Sequence, residues 1–225
     1  MKKIFVAAAI CALTAVTALS FAACGEGGSN PPGSETYTFE AEYAVLPTDG
    51  AGWSGGMGGV SPDLDGDFNA SNGYFVVGMY KKGSTLTFNV EADKAVDDAR
   101  LVARFSNEDP ASLLNIDGKK AYTLTPENYQ IKVNGTALDF NDITFNNIHK
   151  TNRFMDYTIA TGVSLKQGEN TIELVCNNDQ SMGGTTLGTA PIVDCIKITT
   201  TASLTWEPTK VSFPSELQGD KELNV

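Results

Sequence analysis

The chain has 225 residues, 41% of them hydrophobic and 19% charged, with 16 basic against 27 acidic side chains and a formal charge of −11. So acidic a chain has little to offer a phosphate backbone, which argues against nucleic-acid binding, while the apolar fraction is ample for a folded core. A single histidine, His149, removes histidine-pair catalysis and multi-histidine zinc sites. The balance favours an exported binding protein, not an enzyme.

Residues 1–23 read as a lipoprotein signal peptide. Lys2 and Lys3 precede a charge-free apolar run from Ile4 to Ala23, the order of a basic start, an apolar middle and a small-residue end. Ala22-Ala23-Cys24-Gly25 resembles a bacterial lipobox, with Phe21 where that pattern usually carries Leu. Cys24 is then the expected lipidation site, and acyl chains hold the protein at the outside of the cell membrane. An uncleaved membrane anchor and ordinary secretion are the alternatives. Residues 24–36 form a flexible tether of Gly, Ser, Pro and acid.

From residue 37 the pattern is short strands. Thr36 to Tyr43, Ser84 to Glu91 and Tyr129 to Val133 alternate polar with apolar, and Asn134-Gly135 after the third is a hairpin turn signal. Gly73 to Tyr80, Ala99 to Phe105, Asn170 to Cys176 and Ile192 to Thr199 are further β-branched or aromatic segments. No long amphipathic helix is evident, although Glu108 to Leu114 has room for one turn. The expected fold class is all-β, an antiparallel sandwich or barrel. Two polar stretches, 49–73 with Trp53 and 177–191, read as long loops, which on a rigid scaffold are common recognition sites. Residues 200–225 form a C-terminal extension with Trp206 and an alternation at 210–213, either an edge strand or a trailing segment.

Several acids stand out. Glu40 and Glu42 are two apart on an expected strand, which aims both carboxylates to one face. Like charges so close call for a cation or a proton. Asp194 sits among apolar residues in Pro191-Ile192-Val193-Asp194-Cys195-Ile196, where an acid needs a partner. Brought together with backbone carbonyls, these three make a hard oxygen site suited to calcium; the alternative is that Glu40 and Glu42 are solvated on an outer face. Asp63, Asp65, Asp67 and Asn69 superficially match the start of an EF-hand loop, but Phe68 replaces its glycine and Tyr74 its final Glu. A solvated acidic turn is the better reading. Cys176 and Cys195 form either a disulfide or two small buried residues.

Four blocks then carry a resemblance. Phe39-Glu40-Ala41-Glu42-Tyr43, Gly73-Tyr74-Phe75-Val76-Val77-Gly78-Met79-Tyr80, Val163-Ser164-Leu165-Lys166-Gln167-Gly168-Glu169-Asn170-Thr171-Ile172 and Val193-Asp194-Cys195-Ile196-Lys197-Ile198 fall in order across 37–199. Together they resemble carbohydrate-binding module families 6 and 35. The resemblance implies a jelly-roll β-sandwich over 37–199 with a structural calcium held by Glu40, Glu42 and Asp194. It also implies poly- or oligosaccharide binding on loops at one end, where aromatic faces stack on sugar rings and amides bind hydroxyls. By position the candidates are Phe154, where many relatives place tryptophan, with Phe68 or Tyr74 opposite, Trp53 as a further platform, and Asn177 and Asn178 as amides. Tyr74 and Phe154 have the alternative of being core, and Trp53 that of covering the sandwich end. The implied role is non-catalytic: a surface lipoprotein holding polysaccharide near glycoside hydrolases or transporters. A structural or adhesive domain without a sugar site is the second reading. A small hydrolase is the third, disfavoured because Glu40 and Glu42 are too close in sequence to flank a glycosidic bond.

Overall fold

Residues Leu86, Phe88, Val90 and Ala92 are buried while Asn89 and Glu91 are exposed, so the alternation in this stretch is that of a strand with one face on a core. The computed structural model describes residues 30–46, 59–64, 66, 68–79, 81–106, 121–146, 153–177, 180–182, 185–187 and 190–207. In chain order they form β1 (Glu35–Glu40), a 3-10 turn (Ala41–Tyr43), β2 (Gly59–Pro62), β3 (Tyr74–Val77), β4 (Thr85–Ala92), β5 (Val96–Ser106) and β6 (Ala121–Leu124). There follow β7 (Tyr129–Val133), β8 (Thr136–Ala137), β9 (Ile143–Asn146), β10 (Met155–Leu165), β11 (Gly168–Cys176), β12 (Gln180–Met182), β13 (Thr185–Leu187), β14 (Ile192–Thr200) and β15 (Leu204–Thr205).

The fold is an antiparallel jelly-roll β-sandwich. One sheet has the order β10-β5-β14-β3-β2, with β1 also on β14; the other has the order β15-β4-β11-β7-β8. Strands β6 and β9 pair separately, as do β12 and β13. The chain passes between the main sheets at residues 93–95 and again at 166–167. Between the sheets lies one large core containing Leu86, Phe88, Leu101, Phe105, Ile131, Ile172, Leu174 and Ile196. Each such side chain contributes about 1.5–3 kcal/mol of hydrophobic stabilisation.

Strand β14 is the hub. Along one side it pairs with β5; along the other it meets β3 at Val193 and β1 from Cys195 to Thr200. The first and last long strands are thereby neighbours, with Phe39 opposite Ile196 and Glu40 opposite Cys195.

Local chemistry explains the turns. Asn134 (φ 51°) and Gly135 (φ 78°) occupy the left-handed region that a two-residue hairpin demands. At the β10–β11 turn the buried amide of Asn170 receives Lys166 N–H and Asn134 Nδ2, at 2.9 and 2.8 Å. Its own Nδ2 donates to the carbonyls of Lys166 and Gly168, both at 2.9 Å. Asn170 therefore reads as the peg of this turn, with every polar atom engaged.

One expectation changes and two open alternatives are decided. The first strand ends at Glu40 instead of running to Tyr43, because residues 41–43 close a turn, with Ala44 N–H on the Ala41 carbonyl at 3.1 Å. That turn delivers Val45 to the opposite sheet, where it bridges to Thr87. Cys176 and Cys195 are buried on different sheets and are not bridged to each other, so the small-residue reading holds and the disulfide does not. The C-terminal extension supplies an edge strand at Leu204–Thr205, while the alternation at 210–213 lies outside the described residues, as does the turn placed at 108–114.

Candidate functional site

The site is built around an irregularity in β14. Against β5, Val193 pairs with Phe105 and Cys195 with Arg104, which leaves Asp194 as an extra residue, a β-bulge. Val193 and Ile196 both lie in the main core. The bulge thus turns Asp194 and Cys195 together to the outer face, with Cys195 Sγ 3.9 Å from Asp194 Oδ2. Burial first, and then Asp194 and Glu40, push the Cys195 thiol up to about 12.

Asp194 is fully buried, covered by the loop that precedes β3. Ser71 N–H donates to its Oδ1 at 2.9 Å, and Ser71 Oγ lies 3.1 Å from that oxygen and 2.6 Å from Glu40 Oε2. Asn72 Nδ2 donates to Glu42 Oε1 at 2.9 Å and contacts the Tyr43 hydroxyl at 3.2 Å. Ser71 and Asn72 therefore gather Glu40, Glu42 and Asp194, the three acids picked out in the sequence, into one place. They do so differently from the expected pairing on one strand face. Glu40 ends β1, whereas Glu42 sits in the 3-10 turn and is only 1% exposed.

Positive charge enters from the neighbouring strands. Arg104 Nε donates to Asp194 Oδ2 at 2.6 Å, its Nη2 donates to the Asn69 carbonyl at 2.9 Å, and its Nη1 reaches Asp156 Oδ1 at 3.3 Å. Lys197 Nζ holds the other Asp156 oxygen at 2.6 Å. Four carboxylates, on Glu40, Glu42, Asp156 and Asp194, thus face two cations, on Arg104 and Lys197.

Burial raises Glu42 to about 7, with the Asn72 hydrogen bond opposing and the charges of Glu40 and Asp194 adding to the rise. Glu40 is raised for the same first reason, against the Ser71 bond. Asp194 is raised too, burial outweighing its Ser71 and Arg104 bonds. Asp156 falls below its ordinary value because Lys197 and Arg104 together overcome its partial burial. The interior acids are short of positive charge.

This bears on calcium. Glu42 Oε2 is buried and has no hydrogen-bond partner, and carboxylate oxygens are the donors that calcium prefers. Among the described residues, however, no three acids, cysteines or histidines already stand as a ready-made ligand set. Ser71 and Arg104 hold oxygens of Glu40 and Asp194 that an ion would need. The donor chemistry and the charge deficit fit a divalent ion; closing the site around one requires those two residues to give way.

The expected sugar contacts distribute unevenly. Phe154 is 3% exposed and packs with Phe75, Val77 and Ile192, its ring centroid 5.5 Å from that of Phe75. A ring so enclosed offers no face for stacking, so the core alternative describes it. Phe68 is half-buried over the same cluster, 5.1 Å from Phe75, and its backbone carbonyl accepts from Phe154 N–H at 3.0 Å. Tyr74 opens β3 and is half-exposed. Asn177 Nδ2 donates to the Glu127 carbonyl at 2.9 Å, tying the end of β11 to the turn before β7. Trp53, Asn178 and the lipidation candidate Cys24 lie outside the described residues, as does His149. Asp63 acts as a turn organiser, its carboxylate accepting Phe68 N–H at 3.2 Å and Ala70 N–H at 3.0 Å, while Asp65 and Asp67 are outside the described residues.

A separate open groove of about 420 Å³ crosses the outer face of the other sheet, lined by Asn89, Glu91, Glu169, Thr171 and Trp206 among others. Sequence reasoning also passed over Arg104, Ser71 and Asn72. A signal existed for the first: Arg104 is a lone cation in the apolar run Leu101 to Phe105, just as Asp194 is a lone acid in its own.

No family model matches the chain, and no curated protein matches it either. Among solved structures, a family 35 carbohydrate-binding module from Clostridium thermocellum is 24% identical, with 73% of this chain and 98% of that one covered at a TM-score of 0.47. The family 35 module of Cellvibrio japonicus Abf62 is 13% identical, with 78% and 100% covered and a TM-score of 0.42. An exo-β-1,3-galactanase from Phanerochaete chrysosporium is 18% identical over 72% of this chain and only 28% of the enzyme, at a TM-score of 0.41. The chain is thus similar to family 35 carbohydrate-binding modules across most of its length.

Proposed function

We propose that the protein is a non-catalytic carbohydrate-binding domain, calcium-stabilised and held outside the cell by lipid on Cys24. The observation that carries this reading is the meeting of Glu40, Glu42 and Asp194 through Ser71 and Asn72. Blocks that resemble carbohydrate-binding modules lie far apart in sequence, yet their acids converge at one point. Calcium bound there, on Glu40, Glu42 and Asp194, neutralises the surplus carboxylate charge and pins β1 and the turn after it to β14.

The glycan belongs at the end of the sandwich where β5, β10, β11 and β14 meet their loops, with Tyr74 and Asn177 as contacts and Trp53 and Asn178 kept as candidates from the sequence. Sugar hydroxyls suit amides and carboxylates, while the apolar sugar face suits an aromatic ring. The groove along Asn89, Glu169 and Trp206 has the same mixture of groups and is the second place to look. Such contacts are individually weak in water, and binding in the range of roughly micromolar to millimolar is expected.

Glycan-array screening followed by calorimetry on wild type, Asn177→Ala and Glu169→Ala tests the reading. Loss of binding in the first variant places the sugar at the loop end, and loss in the second places it in the groove. No binding across a broad polysaccharide panel favours a structural or adhesive surface domain instead. Incorporation of labelled fatty acid by wild type but not by Cys24→Ser tests the anchor. Retention of added polysaccharide at the cell surface, close to glycoside hydrolases or transporters, is the role this implies.

A further inference from the structure

The geometry points to Arg104 as the resident counter-ion of the acid cluster and as the residue that sets its affinity for calcium, which has to compete with the guanidinium for the Asp194 carboxylate. This rests on the calcium reading above. The bulge in β14 places Asp194 on the same face as Arg104, whose Cα partner across the ladder is Cys195. Three different nitrogens of the guanidinium are used, on Asp194, on Asp156 and on the Asn69 carbonyl, so one side chain ties β14, β10 and the covering loop together.

Nε on Asp194 is the short contact, at 2.6 Å, and its carboxylate is shut off from water. A guanidinium keeps its charge at any physiological pH, so it cannot step aside by losing a proton. A divalent ion arriving on Asp194 meets that fixed positive charge at close range in a partly desolvated site, where like charges repel strongly. In the absence of calcium the same side chain keeps β14, β10 and the covering loop tied to β5. Arg104 therefore makes the site weaker for metal and less dependent on it.

The test is calorimetric titration of calcium chloride into chelator-stripped wild type, Arg104→Met and Arg104→Lys. Arg104→Met removes the charge while keeping the apolar stem, and is expected to bind calcium at least about tenfold more tightly than wild type and to melt lower without it. Arg104→Lys keeps the charge and stays within about threefold of wild type. Tight binding by Arg104→Met beside undetectable binding by wild type also supports the inference. Equal or weaker binding by a folded Arg104→Met overturns it while leaving the calcium reading intact. Absence of binding in all three proteins overturns the calcium reading, and this inference with it. A measurement on unaltered protein covers the case in which Arg104→Met fails to fold: the NMR resonance of Arg104 Nε–H shifts as calcium saturates wild type, and saturation that leaves it unmoved contradicts displacement.

Discussion

Glu40 stands opposite Cys195 in the β1–β14 ladder, one residue from the bulged Asp194, so the end of β1 and the first half of β14 share one acidic patch. The consequences are thermodynamic, because desolvated carboxylates without enough positive charge prefer to be protonated.

Stability of the metal-free protein should therefore rise as pH falls from about 7 towards 4.5. Glu42 is raised from 4.5 to about 7 in the folded state, so over that window the folded protein holds a proton that the unfolded chain has released. For this nearly fully buried group the gain amounts to at most about 3 kcal/mol. Asp98, held down chiefly by the Thr201 hydroxyl, and Asp156 work in the opposite direction, but only near and below their ordinary value of 3.8. Melting curves in chelator between pH 8 and pH 5 check the sign. A melting temperature that falls across that descent contradicts the assignment.

Asp194→Ala should be costly, at about 3–5 kcal/mol, because it strands Arg104 and the Ser71 amide without their acceptor. Asp194→Asn preserves the shape and one oxygen acceptor and should lose less. Urea unfolding of the two variants in chelator measures the difference; equal losses would mean that the lost charge sets the whole cost and that the retained shape and oxygen acceptor contribute nothing.

Asn170→Ala removes four hydrogen bonds from a buried turn and is expected to cost about 2–4 kcal/mol, mostly through polar groups left without partners. Neither the acid cluster nor the loop end of the sandwich is involved, so calcium affinity should be unchanged in the folded variant. Urea unfolding and calcium calorimetry separate these two expectations.

Reducing agent should leave the melting temperature where it is. Cys176 and Cys195 are buried thiols not bridged to each other, and Cys195 is pushed up to about 12, which suppresses its thiolate. Alkylation of the native protein should leave both unlabelled until denaturant is added. A drop in melting temperature on reduction would instead reveal a bridge.

The sandwich was legible because period-2 alternation records which face of each strand is buried, as along Thr85–Ala92 and Tyr129–Val133. The acids were legible because Asp194 has no local reason to lie in an apolar strand. What the one-dimensional pattern could not convey was the bulge, which depends on the register between β14 and β5, nor the 3-10 turn that separates Glu42 from β1. Phe154 illustrates the other limit. A phenylalanine between an exposed Arg153 and an exposed Met155 has the local surroundings of a surface ring, and only the arrival of Phe68 and Phe75 from elsewhere buries it. Arg104 was passed over because its partners come from three separate segments.

Differential scanning calorimetry of the purified domain, stripped with chelator and then titrated with calcium chloride at pH 7.5, is the most direct trial. Glu42 and its neighbours sharing one ion would give a saturable upward shift in the melting transition, abolished in Glu42→Gln with Asp194→Asn. A transition that ignores both chelator and calcium would contradict a metal at this junction.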